Sequence, residues 1–241
     1  SILNSDSKIK SIISPTTGLD HIDLVAAKRN KVKVYHLRGQ KRFLKEVSGT
    51  AELTMAIMLS LLRKIPQSFD AVKRGMWEPG PFRGNEVSKK KLGVVGCGRL
   101  GAKVSRVAIA LGMDVFAYDP YIYRFPAGVT QVDSLTELLS TIDILTLHIP
   151  LLSETTHLIS TKEIEKMKDE VVIINTSRGS IVSTQALLDG LKKGKIKSAA
   201  IDVMEDEHSI KESGHALIDY ANKYDNLLIT PHIGGATYES V

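Results

Sequence analysis

Apolar positions along this chain fall into two patterns. Short unbroken runs occur at 92–95, 143–148, 171–176, 198–204 and 226–230, and a further run at 114–119 reads DVFAYD. Between them, apolar residues recur at helical spacing in 100–111, 134–139, 161–167, 183–191 and 215–222. A run without polar alternation is a strand covered on both faces, and strands alternating with helices make a parallel sheet. The pattern predicts an α/β fold, a doubly wound parallel sheet with right-handed crossovers. Thr161 is the expected cap of the helix that it opens.

The first part of the chain is sparser. A short strand at 10–14, a turn-rich loop at 14–23, a helix ending near 28–30 and a strand at 32–37 form one βαβ piece. Its apolar surface is too small to make a core. The chain has no initiator Met, and residues 1–48 are expected to be the C-terminal part of a second domain, with 49–241 the main domain. A helix is expected over 50–65, capped by Thr50, with Glu52 in its first turn and Pro66 ending it. Leu53, Met55, Ala56, Ile57, Met58, Leu59, Leu61 and Leu62 cover nearly all of its faces. A helix apolar all round must be buried all round, which predicts a subunit interface. Residues 71–84 read as a loop rich in Trp, Pro and Phe.

The stretch KLGVVGCGRLG joins a strand to a helix through Gly96, Gly98 and Gly101. Gly96 suits a tight turn, Gly98 lets a backbone approach a pyrophosphate, and Gly101 lets the helix pack close to the strand. The anion would rest on the N–H groups at the helix start. Asp119 closes the next strand, about 20 residues on, where a dinucleotide site wants an acid for the ribose hydroxyls. That carboxylate repels a 2′-phosphate, so NAD is expected rather than NADP.

Composition narrows the class without changing it. Of 241 residues, 43% are apolar and 24% charged, an ordinary globular balance. No apolar run reaches membrane-spanning length. A single cysteine, Cys97, excludes an internal disulfide and fits a reducing compartment, the cytoplasm. The net charge of +5 is spread over many sites, with Lys89–Lys91 the only tight run, so an anionic cofactor and substrate are expected rather than nucleic acid. No His, Cys and Asp spacing suggests a metal site.

Ligands of an open parallel sheet bind beyond the carboxyl ends of its strands. There the chain places His148 and Pro150, then Thr176, Ser177, Arg178 and Gly179. Asp202 follows with Glu205, Asp206 and Glu207, and last come Pro231, His232, Gly234 and Gly235. This set suits hydride transfer to a 2-keto acid. A histidine can give the proton to the developing alkoxide, a carboxylate can orient it, and arginine offers a bidentate clamp for the substrate carboxylate. His157, His208 and His215 read as surface residues, and His21 and His36 as structural.

In this order GVVGCGRLG, NTSRGSIV, IDVMEDE and TPHIGGAT resemble the D-isomer-specific 2-hydroxyacid dehydrogenases. TTGLDHIDL and SGTAELTMAIMLSLLRKIP extend the likeness from about Ser14 to the end. The resemblance implies a Rossmann-type NAD-binding domain inserted in a flavodoxin-like substrate domain, and a homodimer formed through the cofactor domain. It places the catalytic residues at Arg178, Glu207 and His232, Glu207 being five residues after Asp202, with Glu205 the alternative. It implies cofactor contacts at Gly96, Gly98, Arg99, Leu100, Gly101, Asp119, His148, Pro150, Thr176, Ser177, Arg178, Asp202, His232, Gly234 and Gly235. Substrate contacts fall on Thr17, Gly18, Arg178 and His232. Lys89 stands where the family usually has glycine, and the polar stretch 206–220 is longer than its common version. The expected reaction is hydride exchange between NAD and a D-2-hydroxy acid, with 3-phosphoglycerate the preferred substrate. A phosphite- or formate-oxidising relative and an NADH-sensing binding protein are the alternatives.

Overall fold

The structure, a computed structural model, describes residues 9–15, 17–19 and 21–239. The chain divides into two compact units. One ends at Val47 and includes the residues from Tyr238 on; the other is Ser48–Thr237.

In the first unit, β1 (Ser11–Ser14) and β2 (Lys33–His36) pair in parallel, with Ser11 opposite Lys33. The crossover helix α1 (Leu24–Arg29) begins where the Asp23 carboxylate accepts from the Ala26 N–H at 2.8 Å. Lys28 and Arg29 in its last turn complement the helix dipole. Ala26, Ala27 and Val32 form a small core, and α2 (Lys41–Glu46) follows.

The second unit begins with α3 (Gly49–Leu62) and α4 (Ile65–Lys73). Then come β3 (Lys91–Val95), α5 (Arg99–Ala110), β4 (Asp114–Tyr118), β5 (Val129–Gln131), α6 (Leu135–Thr141) and β6 (Ile144–Leu147). The chain continues through α7 (Thr161–Lys166), β7 (Val171–Asn175), α8 (Thr184–Lys193), β8 (Ile196–Ile201), α9 (Ile210–Ser213), α10 (Ala216–Ala221) and β9 (Leu227–Ile229). The seven strands lie in the order β5-β4-β3-β6-β7-β8-β9, every pair parallel. Strand order reverses between β3 and β6, so a crevice opens beyond their carboxyl ends.

The unbroken apolar runs serve two cores. Val94, Ile144, Val172, Ile174 and Ala200 face α3 and α5. Val95, Leu145, Ile173, Ala199 and Ile201 face the opposite side, which α6, α7, α8 and α10 cover. Successive side chains of a strand point to opposite faces, so both sets must be apolar.

Local expectations fail at several places. The helix expected over 50–65 ends at Leu62, and Lys64 at φ +52° turns the chain into α4. Pro66 lies in the first turn of α4, where its missing N–H costs nothing, so it opens a helix rather than closing one. Residues 65–73 are therefore helical, and only a 3₁₀ turn, Gly80–Phe82, interrupts the stretch that follows. Thr50 is not the cap of α3, since Ser48 holds that position. Thr161 lies inside α7, and Ser160 caps it in a reciprocal capping box with Glu163. The short edge strand β5 was not expected, because VTQ is mostly polar and exposed.

Helix α3 was expected to need a subunit partner. Ala51, Thr54, Met55, Ile57, Met58, Leu61 and Leu62 are instead buried within this chain, with Glu52 and Ala56 exposed. The exposed apolar face belongs to α4 and the turn after it, at Ile65, Phe69, Val72, Met76 and Trp77.

Candidate active site

The crevice is framed first by the glycine turn. Gly96 follows β3 at φ +87°, a left-handed conformation that glycine adopts without strain. A Cβ there would lie 2.8 Å from the His148 carbonyl oxygen. At Gly101 a Cβ would lie 2.0 Å from the Gly96 oxygen, so α5 rests on the turn itself. Gly98 is the opposite case, with nothing within 4 Å of the added carbon. It is the N-cap of α5, and no side chain caps that helix. An open approach to a helix start is the shape a pyrophosphate needs.

Asp119 leans back on this turn. Its Oδ2 accepts from the Cys97 N–H at 2.9 Å, and its Oδ1 from the Tyr121 N–H at 2.9 Å. The carboxylate is thereby fixed beside the turn, only partly buried, with lone pairs left for hydroxyl donors. Cys97 is buried, and that burial pushes its thiol up from the ordinary value. Arg99 and Leu100 open α5, and partial burial pulls the Arg99 guanidinium down from its usual value.

His148 follows β6. Its N–H donates to the Val95 carbonyl at 2.8 Å, and its Nε2 lies 3.0 Å from Thr146 Oγ1. Desolvation pushes its imidazole down to about 4, so the ring is neutral at physiological pH. Pro150 is exposed, and its carbonyl accepts from Thr155 Oγ1 at 2.8 Å.

The loop after β7 is held by its own residues. Asn175 Nδ2 donates to the Arg178 carbonyl at 2.9 Å, and its Oδ1 accepts from the Ser177 N–H at 3.0 Å. Ser177 Oγ donates to the Ile149 carbonyl, tying this loop to the one after β6. Thr176 is buried, with Oγ1 2.7 Å from Thr54 Oγ1 of α3. Arg178 sends Nη1 to the Ser177 carbonyl at 2.7 Å. A Cβ at Gly179 would lie 2.0 Å from the Met204 carbonyl carbon, so the Arg178 loop lies directly on the acid loop after β8.

Asp202 and Glu207 divide the work at that acid loop. Asp202 is 1% exposed. Its Oδ1 accepts from Thr230 Oγ1 at 2.6 Å and from the Ile233 N–H at 2.9 Å, and its Oδ2 from the Gly234 N–H at 2.8 Å. The resemblance implies a cofactor contact there. In this structure the carboxylate is turned inward and braces the histidine loop. His232, at φ +55°, presents Nδ1 to Glu207 Oε1 at 2.7 Å. The two side chains are 47% and 25% exposed, open to a reacting group yet paired. Gly235 is open on its Cβ side, whereas Gly234 is packed against Asp202 and Thr50.

Glu205 faces elsewhere. Its carboxylate meets His157 Nε2 at 2.5 Å and the Thr184 N–H at 2.8 Å. Burial disfavours its charge, but the bonds from Thr184 and His157 outweigh that and hold it below the ordinary carboxylate value. Thr17 and Gly18 lie in the β1–α1 connection of the first unit.

Sequence reasoning missed the supports of the site. Thr50 Oγ1 donates to the Gly234 carbonyl at 2.9 Å, and Thr54 meets Thr176. Their signal was readable, two hydroxyls one turn apart on a largely apolar helix. His215, read as a surface residue, caps α10 and reaches the Glu205 carbonyl at 3.1 Å.

Comparison with known proteins agrees with this fold. Residues 55–234 match the sequence model described as D-isomer specific 2-hydroxyacid dehydrogenase, NAD binding domain. The chain is 38% identical over 242 residues to the D-3-phosphoglycerate dehydrogenase of Methanocaldococcus jannaschii, covering 99% of this chain and 44% of that protein. It is 36% identical over 239 residues to the hydroxypyruvate reductase of Thermotoga maritima, covering 99% and 75%. The structure resembles that of D-lactate dehydrogenase from Aquifex aeolicus complexed with NAD and lactic acid, with a TM-score of 0.81 at 34% identity, over 96% of this chain and 71% of that one. The chain thus spans less than half the length of the phosphoglycerate dehydrogenase it matches.

Proposed function

The chain belongs to the D-isomer-specific 2-hydroxyacid dehydrogenases, and on that premise we propose that the protein exchanges a hydride between NAD and a D-2-hydroxy acid or its 2-keto acid. The observation that supports this most is the His232–Glu207 pair, 2.7 Å apart, on loops that also seat Arg178. The division into units supports reading the part up to about residue 48 as a portion of a substrate domain and the rest as the NAD-binding domain.

The residues fit the dinucleotide. Gly98 leaves the approach to α5 open, Gly96 and Gly101 keep the turn tight, and Asp119 stands ready for the ribose hydroxyls. Arg99, Leu100, His148, Pro150, Thr176, Ser177, Gly234 and Gly235 are the further residues assigned to cofactor contact in this reading. The bound nicotinamide supplies the hydride. Arg178 clamps the substrate carboxylate with its guanidinium. His232 donates its proton to the developing alkoxide in reduction and takes it back in oxidation. Glu207 holds the imidazole by Nδ1, so the other ring nitrogen addresses the substrate. His148, neutral through burial, adds no charge to the crevice.

Among substrates, 3-phosphoglycerate is the preferred one. The M. jannaschii relative bears that name, and a chain of net charge +5 suits an anionic substrate. A homodimer formed through the second unit is supported by the exposed apolar face of α4 and the turn after it, where Phe69 is 63% and Trp77 85% exposed. A buried lone cysteine agrees with a reducing compartment such as the cytoplasm.

The test is NADH oxidation with glyoxylate, hydroxypyruvate, pyruvate and phosphohydroxypyruvate, beside a His232→Ala control. Turnover that the control abolishes supports the reading, and the best substrate selects among the acids. Tight NADH binding without turnover overturns it in favour of an NADH-sensing protein or a phosphite-oxidising relative.

A further inference from the structure

Glu205 has every acceptor engaged. One carboxylate oxygen meets His157 Nε2 of the loop after β6, the other takes the Thr184 N–H at the start of α8, and the carbonyl oxygen accepts from His215 Nε2. The His215 contacts fix its tautomer. Its Nδ1 accepts from the Leu217 N–H at 3.2 Å, so Nε2 carries the proton that it gives to Glu205. One residue thus ties together the loops after β6 and β8, the start of α8 and the start of α10.

The backbone beside this knot is strained. Asp206 sits at φ +49° and His157 at φ +52°, both left-handed without being glycine. Such conformations persist where the surroundings over-determine them. The turn at Asp206 sends Glu205 and Glu207 to different partners, and it begins one residue after the knot.

We propose that Glu205 is a positioning residue, anchored by His157, Thr184 and His215, that sets the acid loop so Glu207 meets His232. The proposal rests on the hydride-transfer reading for its consequence, but not for the anchor itself. Glu205 does not pair with His232, and its effect reaches the reaction only through the loop. Part of the anchor comes from the polar stretch 206–220, because His215 lies in it.

The test compares Glu205→Ala, Glu205→Gln, His157→Ala and Glu207→Gln in the purified protein. Glu205→Ala is expected to lower kcat about ten- to a hundredfold through misplacement of the acid–base pair. KM for NADH should stay within about twofold, since the glycine turn is untouched. Glu205→Gln should recover most of the loss, because its amide oxygen still accepts from Thr184. His157→Ala removes an exposed anchor without disturbing the core, and should lower kcat by a smaller factor. The alkaline limb of the pH–rate profile should keep its position in Glu205→Gln and move in Glu207→Gln. Amide exchange over 204–209 should quicken in Glu205→Ala and in His157→Ala while the strands stay protected.

The reverse pattern, a limb moved by Glu205→Gln and unmoved by Glu207→Gln, would make Glu205 the acid partner and overturn the proposal. So would unchanged loop exchange in both alanine variants. Loop exchange needs no turnover. A wild-type protein inactive on every keto acid would sink the hydride-transfer reading, while quickened exchange would still uphold the anchor.

Discussion

His232 and Glu207 are joined at 2.7 Å across the carboxyl edge of the sheet, although 25 residues separate them in the chain. Neither could hold this place alone. His232 is set by the turn that Asp202 braces from below, and Glu207 by the loop that Glu205 ties down. A histidine held at one nitrogen by a carboxylate is a proton donor with a fixed direction.

Removing that donor should be costly. His232→Ala is expected to lower kcat about 10²–10⁴-fold with little change in NADH affinity, the usual scale for a lost acid–base group. Glu207→Gln keeps a partner for Nδ1 but removes the charge, and should lose less. Steady-state kinetics with NADH fluorescence titration separates the two effects. Equal losses of kcat and of NADH binding in His232→Ala would show a structural residue instead.

Asp119 is the second testable position. Its carboxylate holds the Cys97 N–H and faces the place where the ribose hydroxyls would lie. Asp119→Ala should erode the preference for NADH over NADPH by about tenfold or more, since a repelled 2′-phosphate no longer meets a charge. The ratio of kcat/KM values for the two cofactors measures it, and an unchanged ratio sinks the assignment.

Much of this was legible in the chain. The runs 92–95 and 171–176 had no polar alternation because both faces of β3 and β7 are covered, and that coverage makes the sheet parallel and doubly wound. The resemblance pointed to Glu207, five residues after Asp202, and this is the acid that meets His232, while Glu205 is engaged with His157. What escaped was set by contacts remote in sequence. Pro66 reads equally as a stop or as a first turn until Lys64 turns the chain. An all-apolar helix does not say what covers it, and α3 is covered by its own sheet. His215 looked like a surface residue because its partner, Glu205, lies beyond an irregular loop.

Asp202 offers a test of the bracing. It is buried and receives three donors, Thr230 Oγ1 and the N–H groups of Ile233 and Gly234. Asparagine keeps its shape but replaces one acceptor by an NH₂ that faces a donor. Asp202→Asn should destabilise the fold by about 1–3 kcal/mol, the cost of a buried unpaired polar group. Urea unfolding measures this, and activity should fall further than stability because the displaced loop carries His232. A variant as stable and as active as the parent would show that the braced turn is not needed.

His148 predicts a pH dependence that other groups do not. Its imidazole is pushed from about 6.5 to about 4 by desolvation. Between those values the unfolded chain binds a proton that the folded chain refuses. Stability therefore falls as pH drops from about 6.5 to about 4, by up to about 3 kcal/mol and less for the solvent that reaches the ring. The depressed carboxyls Asp143, Glu163 and Glu205 act in a different window. Their contributions are present above the ordinary carboxylate values and are lost only as pH falls through still lower ones. The two windows can be resolved by comparing the parent with His148→Asn, which keeps a polar group beside Thr146 but cannot titrate. The difference between their unfolding free energies should narrow toward acid from pH 6.5 to 4 and stay level above pH 7. Parallel curves over that acid window would mean that His148 is protonated in the folded protein, and that the crevice beside the glycine turn is wetter than its packing implies.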